Sequence, residues 1–137
     1  MLPLDKKILL VDDDITIRGT LKSSLIKFGF KNISDADDVV TAKKLLLSSY
    51  DENKPFDLIL CDHHMPGNTG LDFITYLRSS IKFREIAFIT ITSDAQRSVV
   101  LPYLSAGSDS FIVKPFNEAD LQSKISQVWI KRGIMMK

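Results

Sequence analysis

Four short stretches of this 137-residue sequence carry groups suited to chemistry: Asp12-Asp13-Asp14, Asp62-His63-His64, Thr92-Ser93-Asp94 and Lys114-Pro115. If a fold gathered them, the carboxylates would repel one another, and without a counter-charge some would have to take up protons. A hard divalent cation resolves that conflict, and an all-oxygen donor set favours Mg²⁺ over Zn²⁺. Mg²⁺ also keeps open positions that a phosphate can enter. A lysine ammonium and a threonine hydroxyl can then hold the remaining phosphoryl oxygens. An aspartate can itself attack phosphorus and form an aspartyl phosphate. The Asp-His-His triplet raises a competing reading, a metallohydrolase with histidine ligands.

The elements that must position these groups are legible in the hydropathy pattern. Short apolar runs occur at KILLV (7–11), NISDA (32–36), FDLILC (56–61), IAFITI (86–91) and SFIV (110–113). All but the weak NISDA are continuous rather than alternating, as expected of parallel strands buried on both faces. Between them lie helical stripes: Ile17, Leu21, Leu25 and Phe28 within 15–28, and Ala42, Leu45 and Leu46 within 38–49. Leu71, Ile74, Leu77 and Ile81 follow within 70–81, then Leu121, Ile125, Val128 and Trp129 within 117–130. Asn117, with Asp120 three residues on, marks a helix start. Strands and helices alternate throughout, which predicts an α/β, flavodoxin-like, doubly wound three-layer sandwich of five βα units with parallel strand order 2-1-3-4-5. In such a sheet all the carboxyl ends share one edge. Asp12 to Asp14, Asp62, Thr92 to Asp94 and Lys114 each follow or end a strand, so this edge collects them.

Bulk properties narrow the classes. The length suits one domain with a core built from roughly two-thirds of the chain surface. Net charge is +1, which gives no electrostatic footprint for nucleic acid or a membrane surface. The single cysteine, Cys61, excludes an internal disulfide and reads as a small buried hydrophobe in a reducing compartment. The N-terminal apolar stretch ILLV is too short for a signal segment or a membrane span, so a cytoplasmic location is expected.

Taken together, Asp12-Asp13, Asp62 with Met65-Pro66-Gly67 beyond it, Thr92 and Lys114-Pro115 resemble the receiver domain of two-component response regulators, most of all the single-domain, chemotaxis-type receivers. The resemblance covers Lys7 to about Arg132 and leaves no output domain within residues 1–137. It implies that Asp62 accepts a phosphoryl group from a histidine kinase or histidine phosphotransfer protein. Mg²⁺, with Mn²⁺ able to substitute, would be held by Asp13 directly, Asp12 through water, Asp62 and the backbone carbonyl of His64. Thr92 and Lys114 would each hold a phosphoryl oxygen, and the Lys114–Pro115 peptide would be cis. Phe111 matches the aromatic that turns inward as Thr92 moves. The downstream protein target would sit on the face of the fourth helix, fifth strand and fifth helix, with homodimerisation on phosphorylation as a further possibility. The chain would be a signalling switch rather than an enzyme, acting without direct contact to nucleic acid or membrane. A phosphorelay intermediate or phosphate sink is the alternative. A DHH-type phosphoesterase is remote, because that family needs a further histidine-bearing motif and a much longer chain.

Further expectations attach to single residues. Asp14 is expected to cap the first helix rather than bind metal. His64 and Asp94 occupy positions that face the site mouth in receivers. They are expected to tune dephosphorylation as a pH-sensitive pair, an idea that an unchanged pH profile in His64→Asn would overturn. Val39 replaces a glycine common in the family. Pro102 predicts a kinked or late-starting fourth helix with the proline near its first turn. Trp129 suits either core packing or a partner-facing position. SSYDENKP (48–55) reads as a polar loop on the opposite edge.

Overall fold

The computed structural model describes residues 3–63, 70–94 and 96–133. Strands β1 (Lys7–Val11), β2 (Asn32–Ala36), β3 (Leu58–Asp62), β4 (Ala87–Thr92) and β5 (Ser110–Val113) alternate with helices α1 (Ile15–Phe28), α2 (Val39–Asp51), α3 (Gly70–Arg78), α4 (Arg97–Ala106) and α5 (Glu118–Lys131). The strands form one parallel sheet in the order β2-β1-β3-β4-β5. The predicted fold class is therefore the observed one.

Alternation along each strand divides the apolar side chains between two layers. Leu9, Val11, Ile59, Cys61 and Phe88 meet the buried stripes of α2, α3 and α4 on one face. Ile8, Leu10, Leu58, Leu60, Ile89, Ile91 and Ile112 meet those of α1 and α5 on the other. Helix on both faces explains why β1, β3 and β4 read as unbroken apolar runs. β2 and β5 are the sheet edges and stay half-exposed, which is why NISDA is weak in sequence. Trp129 is fully buried, so of its two predicted roles the structure shows core packing.

Several boundaries differ from the sequence reading. α2 continues to Asp51, so the first half of 48–55 is helix end rather than loop. α3 stops at Arg78, and Ile81 is 82 % exposed rather than part of the buried stripe. β3 starts at Leu58 because the Asp57 carboxylate turns back to accept from the Lys7 amide (2.8 Å). α4 starts late, at Arg97, but Pro102 falls in its second turn rather than its first. The helix absorbs a missing N–H there instead of beginning beyond it.

The N-terminus of α1 fixes the loop that carries two candidate ligands. Asp14 is its cap, as predicted, accepting from the amides of Thr16 (2.8 Å) and Ile17 (3.3 Å). Asn117 caps α5 in the same way, accepting from Asp120.

Candidate functional site

The parallel register sets the ends of β1, β3, β4 and β5 side by side: Val11 pairs with Cys61, Asp62 with Ile91, and Thr92 with Val113. The residues that follow therefore converge at the carboxyl edge. Asp12 and Asp62 are buried, Asp13 is exposed, and one carboxylate oxygen from each lies within 4.8 Å of the others. Lys114 reaches into the group from the end of β5. Its Nζ donates to Asp62 Oδ1 at 3.0 Å and lies 3.5 Å from Asp12 Oδ2. The Lys114–Pro115 peptide is cis, as the resemblance implied.

Charge is unbalanced here. Three carboxylates against one ammonium leave a net of minus two at the cluster. Burial pushes the Asp12 carboxyl above its usual range, with the nearby Asp62 charge adding to the rise. The Asp14 amide (2.9 Å) and the Lys114 ammonium pull the other way without cancelling it. For Lys114, burial works against the charged form, but its hydrogen bond to Asp62 and the charges of Asp62 and Asp12 outweigh that, and its pKa is raised. Asp12 Oδ2 is buried without a hydrogen bond, 3.5 Å from the Lys114 ammonium, in a cluster whose carboxylates outnumber that ammonium. A hard dication would satisfy both deficits, so the residues present fit Mg²⁺.

Thr92 is buried at the end of β4, and its hydroxyl is engaged by its own loop. It accepts from the Asp94 amide (3.0 Å) and donates to the Asp94 carbonyl (3.2 Å). The Asp94 carboxylate accepts from the Gln96 amide (2.9 Å), so that side chain serves the turn into α4. Phe111 is half-buried on β5 with the Lys124 ammonium over its ring. His64 lies outside the described residues, so its carbonyl and its pairing with Asp94 have no geometry here. Among the described residues the acidic cluster contains no histidine.

Sequence reasoning missed two supports. The Arg18 guanidinium donates to the Asp12 carbonyl (2.7 Å) and holds the peptide between the two N-terminal aspartates. His63, next to Asp62, hydrogen-bonds through Nδ1 to the hydroxyl of Tyr103 on α4. Gly70 opens α3 where a Cβ would come within 2.8 Å of the Asp62 carbonyl and 2.9 Å of the Tyr103 hydroxyl, so only glycine fits. No short-range signal links positions forty residues apart, as His63 and Tyr103 are.

Comparison with known proteins bears on this arrangement. The family model described as the response regulator receiver domain matches residues 8–126. The chain belongs to that family. This receiver domain is 34% identical over 123 residues to the chemotaxis protein CheY-3 of Vibrio cholerae, covering 90% of this chain and 91% of that protein. In structure it is similar to the chemotaxis response regulator CheY4 of Vibrio cholerae, with TM-score 0.80 and 26% identity over 90% of this chain and 98% of that one. It is also similar to the receiver domain of sensor histidine kinase PA1611 from Pseudomonas aeruginosa, described with a magnesium ion coordinated in the active site cleft. There the TM-score is 0.77 and the identity 25%, over 93% of this chain and 98% of that one. Membership makes the protein a receiver of two-component signalling, a switch operated by phosphorylation of an aspartate. No helix among the described residues is long and apolar enough to cross a membrane.

Proposed function

We propose that Asp62 is the phosphoacceptor and that a histidine kinase or histidine phosphotransfer protein is the donor. One observation carries this: Asp62 is the carboxylate at which the Lys114 ammonium and the acidic pair Asp12 and Asp13 meet. A carboxylate oxygen of Asp62 attacks phosphorus, the P–N bond to the donor imidazole breaks, and an acyl phosphate forms. Mg²⁺ held by Asp12, Asp13 and Asp62, with the His64 carbonyl as a further ligand, would neutralise phosphoryl charge, and Mn²⁺ would serve in its place. Lys114 already sits within hydrogen-bonding reach of the reacting carboxylate and stays protonated, ready to hold a phosphoryl oxygen.

The switch runs through Thr92 and Phe111. The Thr92 hydroxyl is spent on its own loop, and Phe111 is half-buried. A new acceptor on Asp62 would draw Thr92 over and let Phe111 turn inward, reshaping the α4–β5–α5 face for a protein target. Incubation with a small phosphodonor and Mg²⁺ tests the reading by intact mass. One phosphoryl group should appear in the wild type and be absent in Asp62→Asn and without Mg²⁺. A wild type unmodified by both a small donor and a kinase would overturn it. Rapid back-transfer to a phosphotransfer protein would mark the chain as a relay or phosphate sink.

A further inference from the structure

The Tyr103–His63 contact lies outside the Thr92–Phe111 switch. Tyr103 is the most deeply buried residue of α4, 1% exposed, and its ring meets His63 edge to face with centroids 5.2 Å apart. Its hydroxyl also lies 3.5 Å from the His63 backbone carbonyl. Burial pushes that hydroxyl above the ordinary phenol range. His63 is covalently next to Asp62, and its amide donates to the Ile91 carbonyl of β4 (2.8 Å). The far end of the tether is weakly built: α4 has no side-chain cap, carries Pro102 immediately before Tyr103, and buries only Val100 besides. A helix held this way follows its anchor.

We propose that Tyr103 is a second conduit from the phosphorylation site to α4, coupling movement of the Asp62–His63 backbone to the helix independently of Thr92 and Phe111. The inference rests on Asp62 being the phosphoacceptor. Phosphorylation changes the charge and ligands of Asp62. A displacement of its peptide is handed through the His63 ring to the Tyr103 hydroxyl, and so to the second turn of α4. Through Phe111, by contrast, the signal reaches the output face from β5.

The test uses the full chain, a small phosphodonor and Mg²⁺, with intact mass and amide hydrogen exchange of residues 97–106 read on the same samples. In Phe111→Ala, phosphorylation should still change α4 exchange by a factor of about 2 to 10, the range one hydrogen bond of ordinary strength can carry. Phe111→Ala/Tyr103→Phe should still gain the phosphoryl group but lose that change. Phe111→Ala/His63→Leu should behave alike, which guards against misfolding of either variant. The inference is overturned if Phe111→Ala alone abolishes the response, or if both double variants keep it in full. A wild type that gains no mass sinks the phosphoacceptor reading itself and this inference with it, and the mass spectrum separates that outcome from the others.

Discussion

α1 and α4 both begin at the carboxyl edge of the sheet, one beside Asp12 and Asp13, the other just beyond Thr92. α1 opens on the Asp14 cap and closes on Gly29 in the left-handed region (φ 105°), with Leu21 and Leu25 fully buried between. α4 opens on Gln96 with no side-chain cap, breaks its own hydrogen-bond ladder at Pro102, and buries only Val100 and Tyr103. The contrast fits the proposed function. Residues proposed to hold a small hard cation would have to keep their places, and α1 with Arg18 fixes the loop that carries them. An element proposed to report a signal would need two arrangements close in free energy, and α4 has little to commit it to one.

The contrast can be broken by mutation. Leu25→Ala should cost about 2–5 kcal/mol in urea unfolding, whereas Leu101→Ala on the exposed side of α4 should stay within about 0.5 kcal/mol; equal losses would erase the distinction. Pro102→Ala restores an amide to α4. Against a helix-interior penalty of about 3 kcal/mol, the looser unfolded chain gives back up to about 1, so a net gain near 2 kcal/mol is expected, read as slower exchange across the helix. If Pro102→Ala also slows the response to phosphorylation, weakness in α4 is part of the switch.

Mg²⁺ at ten times its Kd should add about 1.4 kcal/mol to thermal or urea stability, and Asp13→Asn should remove most of that gain. Asp14→Ala should cost about 1 kcal/mol, and Gln96→Asp should return somewhat less to α4 by supplying the missing cap; circular dichroism melts would read both. The smallest effect concerns acid. The Thr41 amide at the start of α2 holds the Asp38 carboxyl below its usual range. A folded-state pKa below the unfolded one gives stability that is present above the unfolded value and lost as pH falls through the folded one. Asp38→Asn should therefore flatten the acid limb slightly.

Most of the sheet was legible because its strands are buried on both faces and the candidate site residues stand at strand ends, both local patterns. The gathering of Asp12, Asp13, Asp62 and Lys114 at one edge was visible for that reason. Helix ends were less so: Ile81 continues the apolar rhythm of α3 but lies past its end, and Pro102 was placed a turn too early. Tyr103 fell on the buried stripe of α4 with Val100, but that spacing marks only a core position. Its bond to His63 depends on α3 and α4 packing together and on Gly70 leaving room, which no local pattern encodes.

Cys61 offers a clock. It lies on β3 between β1 and β4 with no exposed surface, and burial raises its thiol above the ordinary range, so a thiol reagent meets nothing reactive in the closed protein. Alkylation must wait until the helical layer of α2, α3 and α4 lifts from the thiol's face of the sheet. With one cysteine in the sequence, every labelling event counts a single kind of opening. Labelling set beside exchange in α4 would tell fraying of that helix from lifting of the whole layer that covers the thiol.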